Sequence, residues 1–282
     1  MDEHIIEAVG HCRVVVRNGR VTEVGTPLLR DCQLARRFAY PVTDMTPEAI
    51  GKNVQGRIDS FGMCTSHREL YSDDTFVGFG ASELISSALA DGLIDAAVIA
   101  CDGAGTVVVT DPGMVQGIGG RMSGLVRTTP FPAVIDRIRA GGGIVPDPET
   151  ASLDPVMGIY TAKKAGYKRP VVTIHRPEDA MRVRKTDPDT IIIAVHTTGY
   201  SRIDAEIMAE SADLVTACAS LHVRQICGPK ALMQAGSTVP VFALTPGGKE
   251  FILNRMAVIS YPLYVSHATL PVAGEKEPSP LI

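Results

Sequence analysis

Two short β-rich runs flank Asn18-Gly19 in the stretch CRVVVRNGRVTEVG. That dipeptide accepts the positive φ angles of a type I′ turn, so the pattern predicts an N-terminal β-hairpin. Over residues 44–60 apolar positions recur behind Thr46, placed to cap, and Pro47, suited to a first turn, which predicts a helix. FGMCTSHREL breaks the pattern; Ser82–Ala90 restores it, with Gly92 as a stop and a strand at 95–100.

Beyond residue 141 the stretch AGGGIVPDPETASLDP concentrates Gly, Pro and Asp, the mark of a long loop or a boundary. Regular units follow it. Strands are predicted at 170–174, 190–195, 213–217 and 239–244, and helices at 177–185, 203–212, 222–235 and from 248. Strands recurring every 20 to 26 residues between helices predict βαβ units. The expected fold class is therefore α/β: a mostly parallel sheet with flanking helices, Rossmann-like βα units in the C-terminal half, and right-handed crossovers. Three segments are expected: 1–145, an α/β module with the hairpin and Gly-rich loops; 146–268, a βα-repeat module; and 269–282, a mobile tail.

Composition narrows the function classes. Hydrophobic residues make up 45% of the 282, with no Trp, so the core is aliphatic, as buried parallel strands require. A net charge of −4 offers no basic footprint for nucleic acid. Apolar runs such as DAAVIAC and TIIIAV are strand-sized, short of the ~20 residues of a membrane helix, so no membrane span is expected. The opening MDEHIIEAVG lacks a signal pattern, and a cytoplasmic location is expected. Six cysteines without a CxxC pair read as thiols and exclude a zinc ribbon on spacing.

Open α/β sheets bind ligands outside the carboxyl ends of their strands. Those ends carry Cys101 and Asp102, then His175 and Arg176, then His196, Thr197 and Thr198, then Cys218 and Ser220, then Thr245 to Lys249. His196 is the expected general acid/base, Cys101 a neighbouring thiol, and Asp102 the group that orients ligand or imidazole. Polar residues that merely mark where strands leave the core are the alternative.

The segment CDGAGTVVVTDPGMVQGIGGRMSGLV raises its own question. Gly117 and Gly119 match the first two places of G-x-G-x-x-G, but Met122 occupies the third, and no Gly-Lys-Ser/Thr follows. Backbone N–H groups at Gly103, Gly105, Gly117, Gly119 and Gly120, with Arg121 and Ser123, can converge on a small anion. Alternatively the glycines form a turn and let chain pack on chain. Cys64-x-x-His67 and Cys218 with His222 have metal-like spacing, yet a structural zinc site needs four ligands, and no metal is assigned. Cys64 is instead a candidate exposed thiol whose thiolate His67 would favour.

At FGMCTSHREL and VIACDGAGTVVVTDPGMVQGIGGRMSGLVRTTPFPAVI the sequence resembles the methanogenesis marker protein 8 family, with likeness over nearly the whole chain. The resemblance implies a methane-producing archaeon, an anaerobic cytoplasm, and a role in maturation or upkeep of methyl-coenzyme M reductase. It brings no catalytic residues. GASELISSALADGLIDAAVIA and the following TDPGMV are also similar to the beta subunits of coenzyme F420-reducing hydrogenases, which implies flavin or coenzyme F420. The clustered cysteines of those subunits are missing. The expected function is binding of an anionic small molecule or cofactor at the strand ends, alongside two alternatives: a non-enzymatic assembly protein or a redox protein.

Overall fold

A computed structural model describes residues 1–121 and 124–282. A first strand, β1 (His4–Ala8), precedes the predicted hairpin of β2 (Cys12–Arg17) and β3 (Arg20–Val24). Asn18 and Gly19 take φ of 49° and 70°, the two positive angles a type I′ turn demands. Helix α1 (Pro47–Phe61) starts where Thr46 accepts a hydrogen bond from the Ala49 N–H, and it stops at Gly62, φ 72°. After α2 (Ala81–Ala90), β4 (Ala96–Cys101) turns directly into β5 (Gly105–Val109). A single helical turn, α3 (Pro112–Val115), widens into a π turn over Gln116–Gly120 before β6 (Gly124–Arg127) and α4 (Pro132–Ala140).

The second half alternates as expected at first: α5 (Pro155–Lys164), β7 (Pro170–Ile174), α6 (Pro177–Thr186), β8 (Ile191–Ala194), α7 (Arg202–Ser211) and β9 (Leu214–Thr216). The helix expected over 222–235 is shorter. It is α8 (Leu221–Ile226), broken before Gly228-Pro229, and Met233–Ala235 forms a strand, β10. β11 (Val241–Ala243) and α9 (Pro246–Val258) complete the elements.

The fold is mixed α/β. β3-β2-β1-β6 make an antiparallel sheet, and β10-β11-β9-β8-β7-β4-β5 make a seven-stranded one. The four adjacent strands β9-β8-β7-β4 pair in parallel; β5 and β11 run against them on either side, and β10 pairs antiparallel with β11. The expected mostly parallel sheet is thus corrected to a mixed one. The cause is connection length: three residues between β4 and β5, and a short turn at Gly236 between β10 and β11, allow hairpins but no crossover.

Strands from both sides of residue 145 share the larger sheet. Apolar clusters cover both of its faces, and a third lies between the small sheet and α1. Within the segment 269–282, Ser279 pairs with Asp31, and Ile282 bonds to Ala219 and Leu221. No helix among the described residues is long and apolar enough to cross a membrane.

Gly105 shows what the glycines do. Its φ is +74°, and a Cβ there would sit 2.3 Å from the Ala151 carbonyl carbon. Gly105→Ala is expected to lose roughly 2–4 kcal/mol in urea unfolding, from a strained φ plus overpacking. Gly142 also has positive φ, +81°, but open space beyond. Gly142→Ala should lose only the backbone part, about 1 kcal/mol. Equal losses at the two positions would overturn the close-packing explanation.

Candidate functional site at the strand carboxyl edge

Asp102 ends the β4 turn with both oxygens engaged. Its Oδ1 accepts from Arg68 Nε at 2.9 Å and its Oδ2 from the Cys64 N–H at 2.5 Å. Both side chains of the ion pair are fully buried. Arg68 Nη2 also donates to the carbonyls of Gly117, 2.9 Å, and Ile118, 3.3 Å, and Nη1 donates to that of Glu69. Burial alone would raise the Asp102 pKa, but Arg68 and the Cys64 N–H outweigh it and hold the carboxyl below its usual range.

This arrangement corrects several expectations. Both Asp102 oxygens are committed to Arg68 and the Cys64 loop. Cys64, expected to be exposed, is fully buried, as is Cys101. Burial, then Asp102, pushes the thiols of both upward, so neither supplies a thiolate nucleophile at neutral pH. The bare backbone of the glycine segment meets the chain itself. A Cβ on Gly117 would lie 2.2 Å from the Leu70 carbonyl oxygen, one on Gly103 2.9 Å from Phe131, and one on Gly120 2.8 Å from Phe76. Gly119 approaches only Ser82, at 3.7 Å. Arg121 is engaged by Glu69, 3.1 Å, and Asp74, 3.4 Å, and sits 5.2 Å from the Phe61 ring centre. Ser123 lies outside the described residues.

A different group gathers at the carboxyl ends of the parallel strands. His175 follows β7 and is exposed; His196 follows β8 and Cys218 follows β9, both half-buried. His196 and Cys218 take positive φ, 55° and 44°. The two ends are laced together: Thr216 Oγ1 donates to the Ala194 carbonyl, 2.9 Å, and Thr197 Oγ1 to that of Thr216, 2.6 Å. Thr197 is fully buried in this lacing, and Thr198 is half-buried.

The small sheet faces this edge. A Cβ on Gly124, at the start of β6, would lie 3.5 Å from His196 Cγ and 3.2 Å from the Glu7 Cβ. Glu7, on β1, pairs with His11 Nδ1 at 2.9 Å, and His11 also has positive φ, 56°. A Cβ on Gly199 would in turn lie 3.5 Å from His11 Nε2. Glu7 therefore pairs with His11 and reaches His196 only through its charge, and the two imidazoles are driven apart. Burial lowers the His196 pKa to about 4, with His175 and Arg57 adding to the effect against Glu7. The hydrogen bond to Glu7 raises that of His11. One ring is neutral at pH 7 and its neighbour favours a proton, the pattern of an acid/base pair.

Neither metal-like spacing matures into a site. Among the described residues no group of three or more His, Cys, Asp or Glu side chains is placed to hold a metal ion. His196 was readable from its place after a strand. Arg68, Arg57, Glu7 and His11 were not: each joins the site through contacts distant in sequence.

A family model described as "Uncharacterized protein conserved in archaea (DUF2099)" matches residues 4–257. The chain is 40% identical over 285 aligned residues to "Uncharacterized protein MJ0054" of Methanocaldococcus jannaschii, covering 100% of each. No solved structure matches.

Two outcomes follow from the charges. Arg68→Met strands a buried carboxylate and is expected to cost about 3–5 kcal/mol in denaturant unfolding, whereas Arg68→Met with Asp102→Leu should recover most of it. A double variant as unstable as the single would show that the pair is not the source. For His196, the unfolded imidazole takes a proton near 6.5 while the folded one resists until about 4. Its contribution is full above pH 6.5 and is lost as pH falls toward 4. His11, with a raised pKa, contributes in the opposite sense, fully below pH 6.5 and lost above. His196→Gln should therefore flatten the acid-side fall in stability between pH 6.5 and 4. An unchanged slope would place the neutral histidine elsewhere.

Proposed function

The chain belongs to the archaeal DUF2099 family, and from that premise we propose that it binds a small anionic molecule or cofactor at the carboxyl edge of its parallel strands and moves a proton there. One observation carries this reading: two imidazoles of opposite tendency, His196 at the β8 end held neutral by burial and His11 on the facing small sheet favouring its proton through its pair with Glu7, both sit on positive-φ backbone. Backbone strain of this kind costs roughly 1–3 kcal/mol per residue and is kept where the surroundings impose it. His196 is the proton acceptor and His11 the donor. Arg57, with a pKa drawn down to about 10 by burial and by Arg68, supplies the charge that favours an anion.

The setting in this reading is methane-producing metabolism in an anaerobic cytoplasm. It is supported by the full-length relative from a methanogen and by the likeness of the central segment to the methanogenesis marker protein 8 family. Upkeep of methyl-coenzyme M reductase is the role that likeness suggests. An interaction protein is the second reading, favoured by the exposed run Tyr261, Leu263, Tyr264 and Val265. Recovery of a stable complex from methanogen lysate in place of any small ligand would select it.

A thermal-shift screen of phosphate- and sulfonate-bearing methanogen cofactors, with flavin and coenzyme F420 included, tests the first reading. A ligand at 100 times its Kd is expected to stabilise by ~2.7 kcal/mol. His196→Ala and His11→Ala should each weaken the shift. No movement of the midpoint by any compound, or a shift undiminished in both variants, would end the proposal.

A further inference from the structure

Residues 277–282 do not merely trail from the fold. Ser279 forms a small ladder with the chain beside Cys32: its carbonyl accepts from the N–H groups of Arg30, 2.6 Å, and Asp31, 3.0 Å, and its N–H donates to the Asp31 carbonyl at 3.0 Å. Ile282 does the same beside Cys218. Its N–H donates to the Ala219 carbonyl at 2.8 Å, and its carbonyl accepts from the Leu221 N–H at 3.1 Å. Just ahead of these attachments Glu277 pairs with Arg224 Nη1 at 3.0 Å. The partners at one end are the loop from β9 to α8 that carries Cys218. Those at the other precede α1.

Arg224 makes this attachment informative for the site. It is 6% exposed, and its Nη2 donates to the carbonyls of Cys218, 2.9 Å, and Thr238, 3.1 Å. A single guanidinium thus joins Glu277 to the strained residue at the β9 end. Thr198, on the β8 end, accepts from the neighbouring Ala219 N–H at 3.3 Å. The segment closes against the carboxyl edge itself.

The chain leading to it is built differently. Among the described residues, positions 260–271 make no backbone hydrogen bond, and positions 273–276 make none of any kind. Between them Val272 is held by Gln234 alone, through bonds of 2.8 and 2.9 Å. Releasing 277–282 therefore breaks its own few contacts and no helix or strand of either sheet. Opening gives up five backbone hydrogen bonds, one ion pair and the packing of the buried Pro278, a local loss that touches neither sheet and stays below global unfolding.

We infer that residues 277–282 form a displaceable strap over the carboxyl edge, hinged at 273–276 and latched by Glu277 on Arg224. Opening frees the Cys218 loop and uncovers the strand ends; closing holds them. That the strap governs access for a ligand rests on the ligand-binding reading above, whereas its opening is measured without any ligand.

Cys218 is the natural reporter, since the other five cysteines are buried. Iodoacetamide labelling of the full chain, read by mass spectrometry, is compared with Glu277→Gln and with a chain ending at Lys276. Labelling of Cys218 is expected to rise about tenfold or more in both variants while the remaining thiols stay protected, as for a local opening. An unchanged Cys218 rate in both overturns the strap. Native-state hydrogen exchange on the unaltered chain covers the case in which a variant unfolds and exposes all six thiols. The amides of Asp31, Ser279, Leu221 and Ile282 should exchange together and much faster than those of Val98 and Val172 in the central strands. Exchange of the strap amides only along with those core amides overturns the inference.

Discussion

A guanidinium and a carboxylate shut away from water set the geometry of the middle of this chain. Removing both charges from solvent costs several kcal/mol per ion, and their attraction repays that only when every remaining polar atom finds a partner. Arg68 and Asp102 meet that condition through Cys64 N–H and the carbonyls of Glu69, Gly117 and Ile118. Three stretches of chain must therefore converge: the loop after α1, the turn that ends β4, and the π turn of Gln116–Gly120. Side chains at the contacts would hold them apart. The glycines at 103, 105 and 117 permit the convergence, and the π turn brings two successive carbonyls within reach of one Nη2.

A second constraint operates at the carboxyl edge. Six non-glycine residues among those described have positive φ, and two have local explanations: Asn18 in its turn and Ala151 beneath Gly105. The other four are His11, Cys64, His196 and Cys218. Cysteine takes this conformation rarely, and histidine more often, so the two cysteines call most for an explanation. Cys64 is explained by its N–H, which must point at Asp102. His196 and Cys218 lie directly beyond adjacent parallel strands, where the lacing of Thr197, Thr216 and Ala194 fixes the backbone before it leaves the sheet. The strain is thereby held by the rigid part of the fold.

The parts of this structure that were legible in the sequence are those governed by local rules. Asn18-Gly19 named its turn, Thr46-Pro47 its helix start, and the continuous apolar runs at 170–174 and 190–195 their buried strands. The antiparallel edges were hidden because GTVVV sits inside a glycine-rich segment, and VPVFAL reads alike in either direction. Composition could not tell whether bare backbone approached a ligand or another stretch of chain, because both demand the absence of a Cβ. Arg68 was invisible for a different reason: arginine is almost never buried unless paired, and its partner lies 34 residues away. His196 was found by position, but Glu7 and His11 reach it only through the pairing of β1 with β6, a contact no local pattern announces.

The two constraints are not independent, because Arg57 stands between them. Its pKa is drawn down by burial and then by Arg68, and it in turn helps to keep His196 neutral. Asp102 answers this only in part, since its carboxylate is committed to Arg68. The depressed pKa values of Arg57 and His196 share their largest cause, burial, which disfavours the charged form of each. An anion seated at the strand ends would relieve both at once, stabilising the Arg57 guanidinium and admitting a proton to His196. Linkage then makes proton uptake and anion binding reciprocal. On this account the buried pair at Asp102 does more than join loops. With the Asp102 carboxylate committed to Arg68, Glu7 is the acidic group that acts on His196.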